Sequence, residues 1–227
     1  MTAVDDKTVV REYFNATGFD RWRRIYGDGE VNKVQLDIRK GHQKTVDTVM
    51  AWFMADGNLA ELTVCDAGCG VGSLSIPMAA AGARVYASDI SEKMVGEARE
   101  RAQKLLGPDQ IPTFEARDLE SLEGHYHSVI CLDVLIHYPQ DKAAEMIQHL
   151  SALAESRLVL SFAPKTIFYT ALKKVGDFFP GPSKATRAYL HRQADVIKIL
   201  EANGWTIQRT AFNKTQFYFS RLLEATR

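Results

Sequence analysis

Five residues inside one stretch, LTVCDAGCGVGSLSIPMAAAGARVYASD, can hold a nucleoside between them. Asp66 ends a short apolar run. Gly68, Gly70 and Gly72 follow at every second position, and Asp89 closes the next apolar run. Glycines permit a sharp turn and let a ligand lie against the backbone. The amides at the start of the following helix point into the same crevice. An acid at a strand end can accept both hydroxyls of a ribose. The pattern points to an adenosine-type cofactor. The dinucleotide fingerprint G-x-G-x-x-G is not met, because Ser73 occupies its third place, and no lysine follows the loop as a P-loop requires.

The spacing D-x-G-x-G-x-G with a strand-end acid resembles the class I methyltransferases that use S-adenosyl-L-methionine and release S-adenosyl-L-homocysteine. That resemblance implies that Asp66 lies near the methionine ammonium and that Asp89 holds the ribose. Ile90 and Met94 are expected to pack on the adenine. Asp118, at the end of the third strand, is expected to accept the adenine amino group with the Leu119 amide nearby, and Leu132 with Asp133 to close the methionine side.

Methyl transfer from a sulfonium is an in-line displacement, so the protein chiefly aligns the nucleophile and excludes water. His137 follows the fourth strand in LIHYP, where a residue faces the transferred methyl. It can orient a carboxylate, act as a base for a less acidic nucleophile, or cap the next helix. Upstream, FDRWRRIY interleaves Arg21, Arg23 and Arg24 with Phe19, Trp22 and Tyr26. Such a segment reads either as a solvated helix face or as a lid that receives a flat, carboxylate-bearing aromatic. In the second reading Trp22, Arg23, Tyr26 and His137 touch the substrate, and Tyr26 donates a hydrogen bond from the lid. No His/Cys/carboxylate cluster suggests a protein-bound metal.

These groups need an α/β scaffold. Periodicity predicts helices over 4–15 and 31–54, the second interrupted near Gly41. Strands are predicted over 62–65, 84–87, 111–116, 126–132 and 157–162. Helices over 73–81, 91–106 and 141–154 alternate with them, and a helix over 194–203 leads to a hairpin of 205–212 and 216–223. Alternation means a Rossmann-like, seven-stranded, mostly parallel sheet with a terminal antiparallel hairpin. Residues 1–60 form a helical lid and 61–227 the methyltransferase-type domain. An insertion, 163–192, sets Phe168 and Phe179 on an apolar stripe as a substrate cover.

The chain has 227 residues, enough for one α/β domain, and Lys plus Arg (28) equals Asp plus Glu (28). That balance argues against a general nucleic-acid surface. Cys65, Cys69 and Cys131 form no C-x-x-C pair and read as reduced thiols. With no signal core and no spanning run, the chain is expected to be soluble and cytoplasmic, with room for peripheral contact with a membrane.

YFNATGFDRWRRIYGDGEVNKVQLDIRKGH, VCDAGCGVGSLSIP, CLDVLIHYP and FFPGPSKATRAYLH together resemble the magnesium-protoporphyrin IX O-methyltransferases of chlorophyll synthesis over essentially the whole chain. The resemblance implies methylation of a ring propionate of magnesium protoporphyrin. It also implies, as partners, the porphyrin-binding subunit of magnesium chelatase and a porphyrin-carrier protein. A quinone or phenol O-methyltransferase and a non-catalytic porphyrin carrier are the competing readings.

Overall fold

The computed structural model describes residues 6–165 and 188–227. Three helices come first: α1 (Asp6–Asn15), α2 (Thr17–Ile25) and α3 (Lys33–Asp56). Then follow β1 (Thr63–Ala67), α4 (Ser75–Ala80), β2 (Arg84–Asp89), α5 (Glu92–Leu105), β3 (Thr113–Ala116), β4 (Tyr126–Cys131), α6 (Gln140–Leu153) and β5 (Ala154–Phe162). After the undescribed stretch come α7 (Gln193–Ala202), β6 (Thr206–Lys214) and β7 (Phe219–Thr226). The seven strands run in the order β3-β2-β1-β4-β5-β7-β6. β1 to β5 pair in parallel, and β7 pairs antiparallel with both β5 and β6. The sheet is therefore the expected one.

Both faces of the sheet are covered, which is why its central strands read as apolar runs rather than alternations. Leu135, Met146, Ile147, Leu150, Leu158, Leu160, Val196 and Trp205 pack one face. Val46, Val49, Phe53, Met78, Val85, Val95, Ile130 and Val159 pack the other. The order reverses at β1 and β4, so the carboxyl ends of those strands open the crevice where such sheets bind ligands.

Helix α3 corrects the predicted break at Gly41: it runs unbroken from a capping box formed by Asn32 and Gln35. Gly41 serves packing instead. A Cβ there would lie 2.4 Å from Cδ1 of Tyr218. Gly41→Ala is expected to cost about 1–3 kcal/mol by overpacking, visible as a lower melting temperature. At its far end α3 is held by charge. Arg157 and Arg209 both pair with Asp56 and with buried Glu224, at 2.9 and 3.4 Å for the latter. The helix is thus pinned at both ends of the stretch that carries His42.

Candidate active site

A cavity of about 1120 Å³ opens at the carboxyl ends of the strands. Its cofactor-sized half is built by the glycine loop. The amides of Gly68 and Cys69 both donate to the Ser88 carbonyl at 2.8 Å, which ties the loop to β2. Gly68 and Gly70 take φ of +88° and +53°, a region L side chains rarely enter. A Cβ on Gly68 would meet Cγ2 of Val134 at 2.2 Å, whereas one on Gly70 would project into open space. The loop is thus tight at its back and open toward a ligand.

Asp89 is held at the rim of the loop by two backbone amides. Its Oδ2 accepts from the Gly70 amide at 3.0 Å and its Oδ1 from the Ser91 amide at 2.9 Å. Each oxygen keeps a further lone pair for a ribose hydroxyl. Gly68, Gly70, Ile90, Met94, Leu119 and Leu132 line the same half, with Met94 held by the Ser91 side-chain cap on α5. These residues fit an adenosine-type group. Burial pushes the Asp89 carboxyl up to about 6. Ribose hydroxyls favour the ionised acceptor, so affinity for S-adenosylhomocysteine should be full above that pH and fall as pH drops through it. Asp89→Ala should weaken binding by about 3 kcal/mol, and Asp89→Asn should remove the pH dependence. Calorimetric titration across pH checks both.

Three expected site residues are not among those lining the cavity. Asp66 does not line the cavity. It is buried in β1, accepting from Ser75 Oγ at 2.5 Å, and burial raises its carboxyl to about 6. It braces the start of α4 from behind the loop. Asp118 is also off the wall, because α1 brings Lys7 and Arg11 to its carboxylate at 3.3 and 3.2 Å and Ser121 donates to its other oxygen. Burial opposes ionisation there, but these partners hold it below the usual range. Arg23 faces outward, at 3.8 Å from Asp20 and 3.9 Å from Glu97. The inward face of α2 is set by buried Gly18 and Ile25. Arg21 and Trp22, at i+3 and i+4 from Gly18, share it and line the cavity, and Arg23 is off that stripe. Arg21 is the arginine on the wall.

Tyr26 caps α2 and is fixed through its backbone. Arg101 Nη1 donates to the Tyr26 carbonyl at 2.8 Å, and Arg39 donates to the carbonyls of Ile25, Arg24 and Gly29 at 2.8, 2.7 and 2.9 Å. Two guanidinium groups thereby satisfy the free carbonyls at this helix end. The Tyr26 ring lies 5.3 Å from Trp22 and 4.3 Å from His42. Burial and the nearby Asp133 charge push its phenol well above the ordinary value, so it stays a donor.

His137 sits on a short 3-10 turn, Leu135–His137, with its ring edge-on to Phe14 at 5.5 Å. It caps nothing, since the cap of α6 is Pro139. Its Nδ1 is buried without a partner, and burial lowers its pKa to about 4. A neutral imidazole with an unused ring nitrogen therefore faces the cavity. Phe168 and Phe179 lie outside the described residues.

The sequence reading missed the hub behind this wall. Asp133, in left-handed backbone with φ +58°, accepts from His42 Nδ1 at 2.9 Å and Tyr218 Oη at 2.7 Å on Oδ2. Ser161 and Ser220 donate to Oδ1 at 2.9 and 3.3 Å. Burial would raise this carboxyl, but the hydrogen bonds hold it low. His42 in turn underlies Tyr26. Asp133 was visible as a strand-end acid. His42 and Tyr218 stand 91 and 85 residues away from it, and nothing local marks either one.

A doubly wound sheet in this order, with a glycine loop after β1 and an acid closing β2, defines a class I methyltransferase. Comparison with known proteins agrees and goes further. Residues 64–156 match the family described as "Methyltransferase domain", and residues 131–227 match "Magnesium-protoporphyrin IX methyltransferase C-terminus". The chain is 66% identical to the magnesium-protoporphyrin O-methyltransferase of Synechocystis sp., over 99% of this chain and 98% of that one. Two crystal structures of magnesium protoporphyrin IX methyltransferase from Synechocystis PCC 6803 also match. The one with bound S-adenosylhomocysteine gives a TM-score of 0.91 at 65% identity, covering 97% of this chain and 99% of that one. The one with bound S-adenosylmethionine gives 0.89 at 60%, covering 100% and 99%. The chain belongs to the magnesium-protoporphyrin O-methyltransferase family.

Proposed function

We propose that this protein methylates a propionate carboxylate of magnesium protoporphyrin IX with S-adenosylmethionine, giving the monomethyl ester in chlorophyll biosynthesis. Family membership supports the substrate and the methyl donor. The observation that carries the site is the neutral, unpartnered His137 on an aromatic wall beside the Asp89 and glycine-loop cradle. When bound, S-adenosylmethionine supplies an electrophilic methyl group on a sulfonium.

The residues then have separate roles. Gly68, Gly70, Asp89, Ile90, Met94, Leu119 and Leu132 hold the donor. His137 donates a hydrogen bond that orients the attacking carboxylate, which is already ionised at neutral pH with a pKa of ~4–5. No proton has to leave the nucleophile, so an obligate base is not required. Tyr26, a permanent donor packed against His42 and Trp22, is the second donor along the same wall. Phe14, Trp22 and Tyr13 exclude water. The carboxylate and the sulfonium lose their charges as the ester forms, so a dry, apolar wall favours the transition state over the separated ions.

Residues 1–60 act as the lid and 163–192, with Phe168 and Phe179, as the cover over a domain spanning 61–227. The porphyrin-binding subunit of magnesium chelatase and a porphyrin carrier deliver the substrate, and the enzyme works in the soluble phase at a membrane surface. No helix among the described residues is long and apolar enough to cross a membrane. Steady-state turnover with magnesium protoporphyrin set against a quinol and a simple phenol tests the reading. Preference for a phenolic acceptor would replace it with the O-methyltransferase alternative, and binding without turnover would replace it with the carrier.

A further inference from the structure

The cavity wall carries three Lys or Arg side chains among the described residues: Lys7, Arg21 and Lys142. Lys7 is paired with Asp118 at 3.3 Å and Lys142 with Glu145 at 2.8 Å. Arg21 has no acidic partner among the described residues, and its Nε is buried without an acceptor. A guanidinium partly withdrawn from water and left unpaired is costly to keep. It is a receptor for a planar anion, because its fork matches a carboxylate with two parallel hydrogen bonds.

Its placement narrows the anion. The guanidinium lies 5.7 Å from the centroid of Trp22, which restrains its position. Trp22 is 6.4 Å from Phe14, and Phe14 is 5.5 Å from His137. Arg21 and His137 therefore stand on one aromatic wall with two rings between them. A flat ligand lying on that wall and bearing two carboxylates can present one to each. Resting on the porphyrin dicarboxylate as substrate, we infer that Arg21 binds the propionate that is not methylated. That contact fixes which of the two carboxylates faces the methyl donor.

The test uses the two isomeric monoamides of magnesium protoporphyrin, each lacking one carboxylate charge. Binding is read by quenching of tryptophan fluorescence, without turnover. The wild type should bind the diacid about 10- to 100-fold more tightly than the monoamide that keeps only the methylated carboxylate, the range for hydrogen bonds to a charged group. Arg21→Met should bring that ratio close to one and give a mixture of the two monomethyl esters from the diacid. Arg21→Lys should keep part of the preference, as a point charge without the fork. Affinity for S-adenosylhomocysteine should not change in either variant.

The inference is overturned if the wild type does not prefer the diacid, which needs no variant at all. It is overturned equally if the ratio survives in Arg21→Met, or in Arg21→Gln should the methionine variant not fold. Weaker S-adenosylhomocysteine binding in these variants would place the guanidinium on the cofactor's carboxylate and overturn it too. A wild type that binds no magnesium porphyrin of any kind would reject the substrate reading itself.

Discussion

His137→Ala is expected to lower kcat by about 10- to 1000-fold, the range for lost positioning or proton-transfer terms, while affinity for S-adenosylhomocysteine stays nearly unchanged. The imidazole lines the same cavity as Asp89 and is neutral, with its pKa lowered to about 4 by burial. A neutral imidazole can donate a hydrogen bond throughout the neutral range. His137→Gln keeps a donor and should retain more activity than alanine. If the histidine were an obligate base, glutamine would be as poor as alanine. Because the imidazole is neutral down to about 4 and donates in either protonation state, kcat at saturating cofactor should stay level between about pH 6 and 8 and decline only as the substrate carboxylate, with a pKa of ~4–5, takes up its proton. Melting temperature should change little, since the side chain caps no helix. Measuring kcat, cofactor affinity and melting temperature for both variants separates orientation, base and structural roles.

Asp133→Ala is expected to have the second large effect, and on stability as well as rate. Four side-chain donors, from His42, Tyr218, Ser161 and Ser220, converge on this carboxylate. Removing it strands them in a partly buried site and should cost about 3–5 kcal/mol, as for breaking a buried charge-paired network. The rate should fall further than stability explains, because His42 loses its anchor beneath Tyr26. Asp133→Asn is the informative control. Asparagine tolerates the left-handed backbone at this position, so the chain path is kept while the charge is lost. It should fold with a smaller loss of stability, yet still weaken the hold on His42. Chemical denaturation and kcat measured together for the two variants check this. Equal loss in both would locate the effect in the charge alone.

The sheet was legible because its signals are local. Apolar β-branched runs, glycine turns and the Ser91 cap mark each element within a few residues, and the glycine loop with Asp89 marks the cofactor half. Less is legible where the surroundings are decided at a distance. Gly41 reads as a helix breaker in its own segment, yet the ring of Tyr218 is what requires it. Asp118 reads locally as a strand-end acid, and nothing near it in sequence shows that α1 brings Lys7 and Arg11 to it. Asp66 has the right spacing for a ligand-facing acid, but the residue it meets is Ser75, nine positions on. Among three arginines in a row of four residues, only the helical phase set by Gly18 and Ile25 tells that Arg21 faces inward and Arg23 outward.

The central claim is that the nucleophile is a porphyrin carboxylate and that its product is an ester. Purified protein incubated with methyl-labelled S-adenosylmethionine, and either magnesium protoporphyrin or metal-free protoporphyrin, tests this directly. The account predicts one labelled methyl group per magnesium porphyrin, released again by mild alkaline hydrolysis as an ester must be. It is contradicted if no label enters the porphyrin, or if the label resists alkali and so sits on carbon, nitrogen or a phenolic oxygen.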